Sequence, residues 1–389
     1  MRFYTQQHQF YCGIDLHART MYVCILNHDG EILVHRDMKA SPETFLKVMA
    51  PYREDMVVAV ECLFTWYWLA DLCAQEGLPF VLGHALYRKA IHGGKAKNDR
   101  IDARKVAVLL RGGMIPQAYV YPAAMRATRD LLRRRIHLTR TRAELLPHIQ
   151  QTHWQDNLPE MGKKIASKAN RDGVAERLPD PAVHKRVEVD LALIAFYDQL
   201  RRDLALTIVP TAKQHDAQTV SFLQAVPGIG KILRVVLLDA LHAITRFPRV
   251  QDFVSSGRLG KGAKASAGKR YGTAGTKSGQ AYLQWAFSEA AVLCLRNNLA
   301  GQKSLARLEK KHGTGKARTV LAHTLARAVY SMLKREVVFD LATCLQTSGR
   351  GGGEPAAALG HDGLSLATVL CYEASMASPN AHEHRGTLP

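Results

Sequence analysis

Between Phe10 and Met38 apolar residues recur in short runs punctuated by turn formers, which predicts three strands. Two are residues 10–16 and 21–27, rich in Ile, Val, Tyr and Cys, and the third, Glu31–Met38, is reached through the Asp29-Gly30 turn. Connections this short make an antiparallel meander. Met56–Glu61 (MVVAVE) predicts a fourth strand ending on a carboxylate, Leu63–Glu76 a helix broken by Gly77-Leu78-Pro79, and Phe80–Gly83 a fifth strand. A basic stretch, Arg88–Lys97, then leads to a helix at Asn98–Arg111, closed by Gly112-Gly113. Asp99, Asp102, Val106 and Leu109 follow helical spacing there, so both carboxylates are expected on the face turned to the sheet. One residue breaks the pattern. Asp15 interrupts YCGIDLHARTMYVCIL, otherwise written for a buried strand, and a lone carboxylate inside a sheet costs several kcal/mol unless paired, hydrogen-bonded or metal-bound. Glu61, Asp99 and Asp102 are the partners on offer.

Three hairpin strands followed by strand, helix, strand and helix is the order of an RNase-H-like, RuvC-like α/β domain, expected over residues 8–122. From 123 to 215 the texture changes to long helical segments dense in arginine, including Arg133, Arg134 and Arg135, broken at Asp156–Gly162 and around Leu178–Pro181. This predicts a helical, coiled-coil-like arm. Residues 216–340 form a third, mainly α-helical expectation. It opens with AVPGIGK (225–231) between the helices Ser221–Gln224 and Ile232–Ile244, the form of a helix-hairpin-helix. Further helices are expected at Phe247–Ser256, Ala281–Asn297, Gly301–Lys311 and Lys316–Arg335. Gly257–Gln280 lacks core residues and reads as a flexible basic linker, and 341–389 as a low-complexity, disordered tail.

Charge narrows the range of partners. Lys and Arg number 53 against 34 Asp and Glu, a formal net charge of +19, which favours a polyanion, nucleic acid before membrane. MRFYTQQHQF has no apolar core of a signal peptide, and Met56–Ala70 is too short to span a bilayer and carries Glu61, so a cytoplasmic, non-membrane protein is expected. The seven cysteines show no C-x-x-C pair and read as reduced, mostly buried thiols.

The chemistry concentrates in the acids. Clustered carboxylates at Asp15, Glu61, Asp99 and Asp102 repel one another unless divalent cations neutralise them, and Mg²⁺ or Mn²⁺ suits such oxygen donors. A pair of ions can clamp the attacking and leaving oxygens of a phosphoryl displacement. The plainer account is that Asp15 and Glu61 end strands while Asp99 and Asp102 open a helix N-terminus, where acids are favoured anyway. His17 could assist the acids or be a loop histidine. For binding, the turn around Gly228, Gly230 and Lys231 would offer backbone N–H groups to a phosphate, although glycines also simply end helices. The arm arginines 133–135 would contact nucleic acid or form a solvated face. In the linker Lys264, Lys269, Arg270 and Lys277 suit a phosphate, and its neighbourhood offers serines 255, 256, 266 and 278 as equal candidates for a nucleophile.

GIDLH around Asp15, AVECLFTWYWLADLC around Glu61, KAKNDRIDARKVAVLLRGG around Asp99 and Asp102, AVPGIGKILRVVLLDAL and SAGKRYGTAGTKSGQAYLQWAFSEAA together resemble the insertion sequence 110/1111 family of DEDD transposases, over roughly residues 10–335. The resemblance implies a RuvC-like first domain whose four acids fall on Asp15, Glu61, Asp99 and Asp102. It also implies a second domain whose serine nucleophile falls on Ser266. A structured RNA from the element's non-coding end, pairing with donor and target DNA, is implied as well. Two positions depart from the family pattern: Gln280 stands where TKxGN has Asn, and Ala265 where an acid precedes the serine.

The expected function is thus a site-specific recombinase that moves its own insertion sequence. Metal-assisted attack of Ser266 on DNA would give a phosphoserine intermediate, resealed to a new strand within a dimer or tetramer that holds two DNAs together. The alternatives are a RuvC-like, structure-specific nuclease using the acids and water, and a non-catalytic nucleic-acid-binding protein.

Overall fold

The computed structural model describes residues 2–84, 98–158, 165–275, 279–296 and 298–340. It divides into two compact units, Met1–Thr211 and Ala212–Pro389.

The first unit is built on a five-stranded sheet. Strands β1 (Phe10–Leu16), β2 (Thr20–Asn27) and β3 (Ile32–Lys39) form the antiparallel meander expected from the alternation. Helix α1 (Pro42–Met49) follows, then β4 (Met56–Glu61), α2 (Tyr67–Gln75), β5 (Phe80–Gly83) and α3 (Asp99–Arg111). The strand order is β3-β2-β1-β4-β5, with β4 parallel to β1 and β5 parallel to β4. Because side chains alternate across a strand, β1 feeds two cores. Cys12, Ile14 and Leu16 join Val58, Val60, Phe45 and Leu69 on the face covered by α1 and α2. Tyr11 joins Val57, Ala59, Val81 and, from α3, Ala103, Val106, Ala107 and Leu110 on the other.

Two local details depart from the sequence reading. Helix α1 was not expected, yet its start is well specified: Ser41 Oγ accepts from the Thr44 N–H at 3.3 Å, and Pro42 occupies the first turn, where its missing N–H costs nothing. Helix α2 begins at Tyr67 instead of Leu63, because residues 62–65 are held as a bend. The Cys62 N–H donates to the Gly83 carbonyl at 2.9 Å and the Thr65 hydroxyl to the Leu16 carbonyl at 3.0 Å.

Two long helices, α4 (Ala123–Gln155) and α5 (Pro181–His215), make the arm, and their ends coincide with the expected breaks. They run antiparallel, since Arg142 meets Asp198 while, towards the far end, Arg186 meets Thr152. Ile149, Val187 and Ile194 close with Ile165, Val174 and Leu178 of the connecting segment into a small core.

The second unit contains α6 (Ala217–Gln224), α7 (Lys231–Leu241), α8 (Val250–Ser256), α9 (Ala281–Leu293), α10 (Leu299–His312) and α11 (Thr314–Arg335). Phe253 of α8 stands at its centre, edge-on to Phe287 of α9 and stacked on Tyr330 of α11, with ring centroids 5.9 and 5.7 Å away. The expected flexible linker is here corrected. Residues 261–275 form an antiparallel hairpin, β6 (Lys261–Ser266) and β7 (Lys269–Gly275). Its two-residue turn places Ala267 at φ 48° and Gly268 at φ 76°, the paired positive dihedrals of a turn that suits strand twist. The tail and the basic stretch 88–97 lie outside the described residues.

Candidate active site

Asp15 and Glu61 lie where β1 and β4 end, and of the other two acids Asp99 is brought within ligand distance of Asp15. Ile14 pairs in register with Val60, so Asp15 and Glu61 come next on adjacent parallel strands, about 5 Å apart at the backbone. Both fall on the face covered by α3, as the alternation with Tyr11 and Ala59 requires. Gly13 lets that helix approach: a Cβ there would lie 2.3 Å from Ala107 N and 2.5 Å from Ala103 O. With Ala103 seated on β1, the preceding turn of α3 carries Asp99 and Asp102 to the end of the strand. Asn98 caps this turn, its Oδ1 accepting from the Ile101 N–H at 2.8 Å, and His35 Nε2–H donates to the Arg100 carbonyl at 3.0 Å.

Asp15, His17 and Asp99 offer ligand atoms that all lie within 4.8 Å of one another. His17 Nε2 is 3.4 Å from Asp99 Oδ2 and 3.7 Å from Asp15 Oδ2. Its backbone N–H is tied to the Thr20 carbonyl at 2.9 Å, and it shares the strand face of Asp15 two residues on. Asp15 has a side chain only 12% exposed, whereas that of Asp99 is 57% exposed, so the cluster has a buried floor and an open rim. Asp102 lies on the buried side of α3, with Lys105 Nζ 3.9 Å from its Oδ1. The expected shared face of the two aspartates thus splits into one buried and one exposed acid. Hard oxygen donors with one imidazole fit a divalent cation. Helix α3 also directs its positive N-terminal end at these carboxylates.

Ser266 lies in the second unit, exposed, as the last residue of β6 before the turn, and pairs with Lys269, also exposed. Lys264 and Arg270 belong to the same hairpin, and Lys277 lies outside the described residues. Ser255 and Ser256 end α8, and Ser278 is outside the described residues. The two glycines of the α6–α7 turn separate in role. Gly228, at φ 85°, packs on α9, where a Cβ would come 2.5 Å from Cys294 N, whereas Gly230 caps α7 with open space beside it and Lys231 exposed next to it.

The arm arginines also separate. Arg126 is buried, its guanidinium bonded to Asp71 at 2.8 and 2.9 Å and lying over Trp66, and Arg129 stacks on Tyr121. Arg142, Arg171 and Arg201 converge on the Asp198 carboxylate. Burial, with Arg201 beside it, pushes the Arg135 guanidinium below its usual range, and its Nε–H donates to the Arg201 carbonyl at 3.2 Å. Arg133 is half-buried and Arg134 exposed. Sequence reasoning missed a different cationic face: on α10, Lys303, Arg307, Lys310 and Lys311 are exposed at i, i+4, i+7 and i+8, opposite the half-buried Leu305 and Leu308. The signal was present in that spacing. Gly13 was likewise visible only as a glycine inside a strand, a mark of close backbone approach.

No helix among the described residues is long and apolar enough to cross a membrane. Cys12, Cys24, Cys73 and Cys294 are buried free thiols, and burial pushes the Cys73 thiol up to about 12; Cys62 is exposed.

The carboxylate edge and the serine hairpin occur in a chain that matches two transposase profiles. Residues 12–152 match the DEDD transposase profile of IS110 elements, and residues 220–307 match that of the transposase IS116/IS110/IS902 family, together more than half of the chain. The chain belongs to the IS110 family of insertion-sequence transposases. No curated protein matches it.

Proposed function

We propose that this transposase cuts and rejoins DNA by phosphoryl transfer, with Asp15, Glu61, Asp99 and Asp102 as the metal-binding acids of an RNase-H-like, RuvC-like domain and Ser266 as the nucleophile. The observation that carries the reading is the meeting of Asp15, His17 and Asp99 at the strand ends beside Glu61, in a chain of this family. The four acids would hold Mg²⁺ or Mn²⁺, which when bound stabilises negative charge on phosphate oxygens and on a serine alkoxide. Ser266 Oγ attacks phosphorus as the P–O bond to the leaving strand breaks, and the proton of Oγ passes to solvent or a carboxylate. The freed hydroxyl of another strand then attacks the phosphoserine, releasing Ser266, so phosphodiesters are exchanged without net consumption. Lys269, next to Ser266 in register, would hold the phosphate, and Gly230 with Lys231 a second phosphate in a helix-hairpin-helix manner. An element-encoded RNA as guide and a dimer or tetramer are parts of the same reading, supported by the +19 charge and by the need to hold two DNAs together.

The test is a denaturing gel of end-labelled element DNA incubated with protein, Mg²⁺ and the element's RNA. A protease-sensitive shifted band is expected from the wild type and none from Ser266→Ala, with DNA binding retained. A band that persists in Ser266→Ala moves the nucleophile to another serine, and cleavage with no band in any variant favours the water-using nuclease.

A further inference from the structure

Among the described residues of the first unit, the bend at 62–65 presents the most exposed large apolar side chain. Phe64 is 85% exposed and Leu63 beside it 42%. The segment is not a loose loop. Cys62 N–H is bonded to Gly83 at the end of β5, Leu63 N–H to the Glu61 carbonyl at 2.8 Å, and Thr65 Oγ1 to the carbonyl of Leu16, the neighbour of Asp15. Trp66, immediately after, is buried and lies under the Arg126 guanidinium. An aromatic ring is therefore held in water by anchored backbone on both sides, at most about 11 Å along the chain from Glu61. Exposing a Phe in this way forgoes burial that a rotation inward would gain, and nothing in the segment's hydrogen bonding needs an aromatic there.

We infer that Phe64 is a stacking platform for an unpaired nucleobase next to the reacting phosphate. The inference rests on the proposal that the acids at Asp15 and Glu61 act on DNA. Moving a strand to a new partner requires the bases flanking the exchanged bond to leave their pairs, and an unpaired base exposes an apolar face. A flat ring beside the acids covers that face without reading its edge, so it serves any sequence. Tyr67, three residues on, has its phenol raised by burial and by Asp130, with the half-buried Arg133 among the groups opposing, which puts positive charge near the bend.

The experiment uses the full chain and fluorescence anisotropy with a labelled 30-nucleotide single strand of mixed sequence and its duplex. Phe64→Ala is expected to weaken single-strand binding roughly 5- to 150-fold, the range for losing one base stack. Duplex affinity should stay within about twofold, and the slope of log K against log salt should be unchanged, because no phosphate contact is lost. Phe64→Trp should restore binding, with its indole fluorescence quenched by the single strand, while Phe64→Leu should not. Equal loss on both DNAs, a reduced salt slope, full rescue by Leu, or a lowered melting temperature in Phe64→Ala overturns the inference. Asp15→Ala, run in parallel for Mg²⁺-dependent cleavage, separates the two ideas: retained cleavage sinks the catalytic reading, whereas lost cleavage with a neutral Phe64→Ala sinks only the platform.

Discussion

Gly13→Ala is the smallest change that tests how the acids are brought together. Its Cβ would meet Ala107 N at 2.3 Å, Ala103 O at 2.5 Å and Ala107 Cα at 2.8 Å. Carbon contacts are comfortable only at about 3.5–4.0 Å, so α3 has to retreat by about 1 Å. All three obstacles are backbone atoms, and no side-chain rotation relieves them. Were the site open, Ala for Gly would stabilise by about 0.4–1 kcal/mol through the unfolded chain. The close approach predicts the opposite sign, a loss of about 1–3 kcal/mol or more. It also predicts a catalytic penalty out of proportion to stability, because Asp99 and Asp102 ride on the helix that moves, and a 1 Å misplacement costs about 100-fold in rate. Hydrogen exchange at the amides of β1 and α3 in increasing urea reads this unit apart from the other, and the strand-cleavage gel reads the rate. A variant that is as stable as the wild type, or more so, and cleaves at the wild-type rate would refute the argument.

Asp198→Asn should destabilise the arm by about 2–3 kcal/mol at neutral pH, measured by exchange in α4 and α5, since it removes the anion from three guanidiniums. Burial alone would raise this carboxyl, but hydrogen bonds from Arg142 and Arg171 outweigh it and hold it below the usual range. The contribution is therefore complete above about pH 4 and lost as pH falls through the lower folded value, so the gap between wild type and variant should close only in acid. Arg126→Ala should lower stability with the salt slope of DNA binding unchanged, and Arg134→Ala should do the reverse, lowering the slope by about 0.9 if that exposed side chain meets a phosphate; equal behaviour would undo the division of the arginines. Replacing Lys303, Arg307, Lys310 and Lys311 together by Ala should reduce the duplex slope by about 3–4, and an unchanged slope removes that face of α10 from the interface.

The first unit was legible because its elements carry local signals: alternation in β1 and β2, the Asp29-Gly30 turn, the Asn98 cap and the Gly112-Gly113 stop. The place of Asp15 in a polar cluster was legible for the same reason, being polar where the pattern is apolar. Helix α1 has its Ser-Pro start in plain view but is only eight residues long, too short for periodicity to show. The β6–β7 hairpin hid behind its composition, since KGAKAS has no β-branched or aromatic residue and KRYGTAG only Tyr271 and Thr273, and its turn uses Ala at positive φ. Which arginines serve the fold depended on partners far along the chain, Asp71 for Arg126 and Asp198 for Arg142, and no spacing rule reaches that far.

The nucleophile role proposed for Ser266 would constrain how this chain can drift. The serine closes a two-residue turn, and side chains alternate along its strand, so a single residue inserted in β6 would turn the hydroxyl to the opposite side of the ribbon. Adding two residues to each strand would preserve the side but carry the tip about 7 Å further out. Insertions elsewhere in the second unit, at the turns between helices, leave this geometry alone. Length variants among descendants should therefore accumulate in those turns, and the hairpin should change by substitution only.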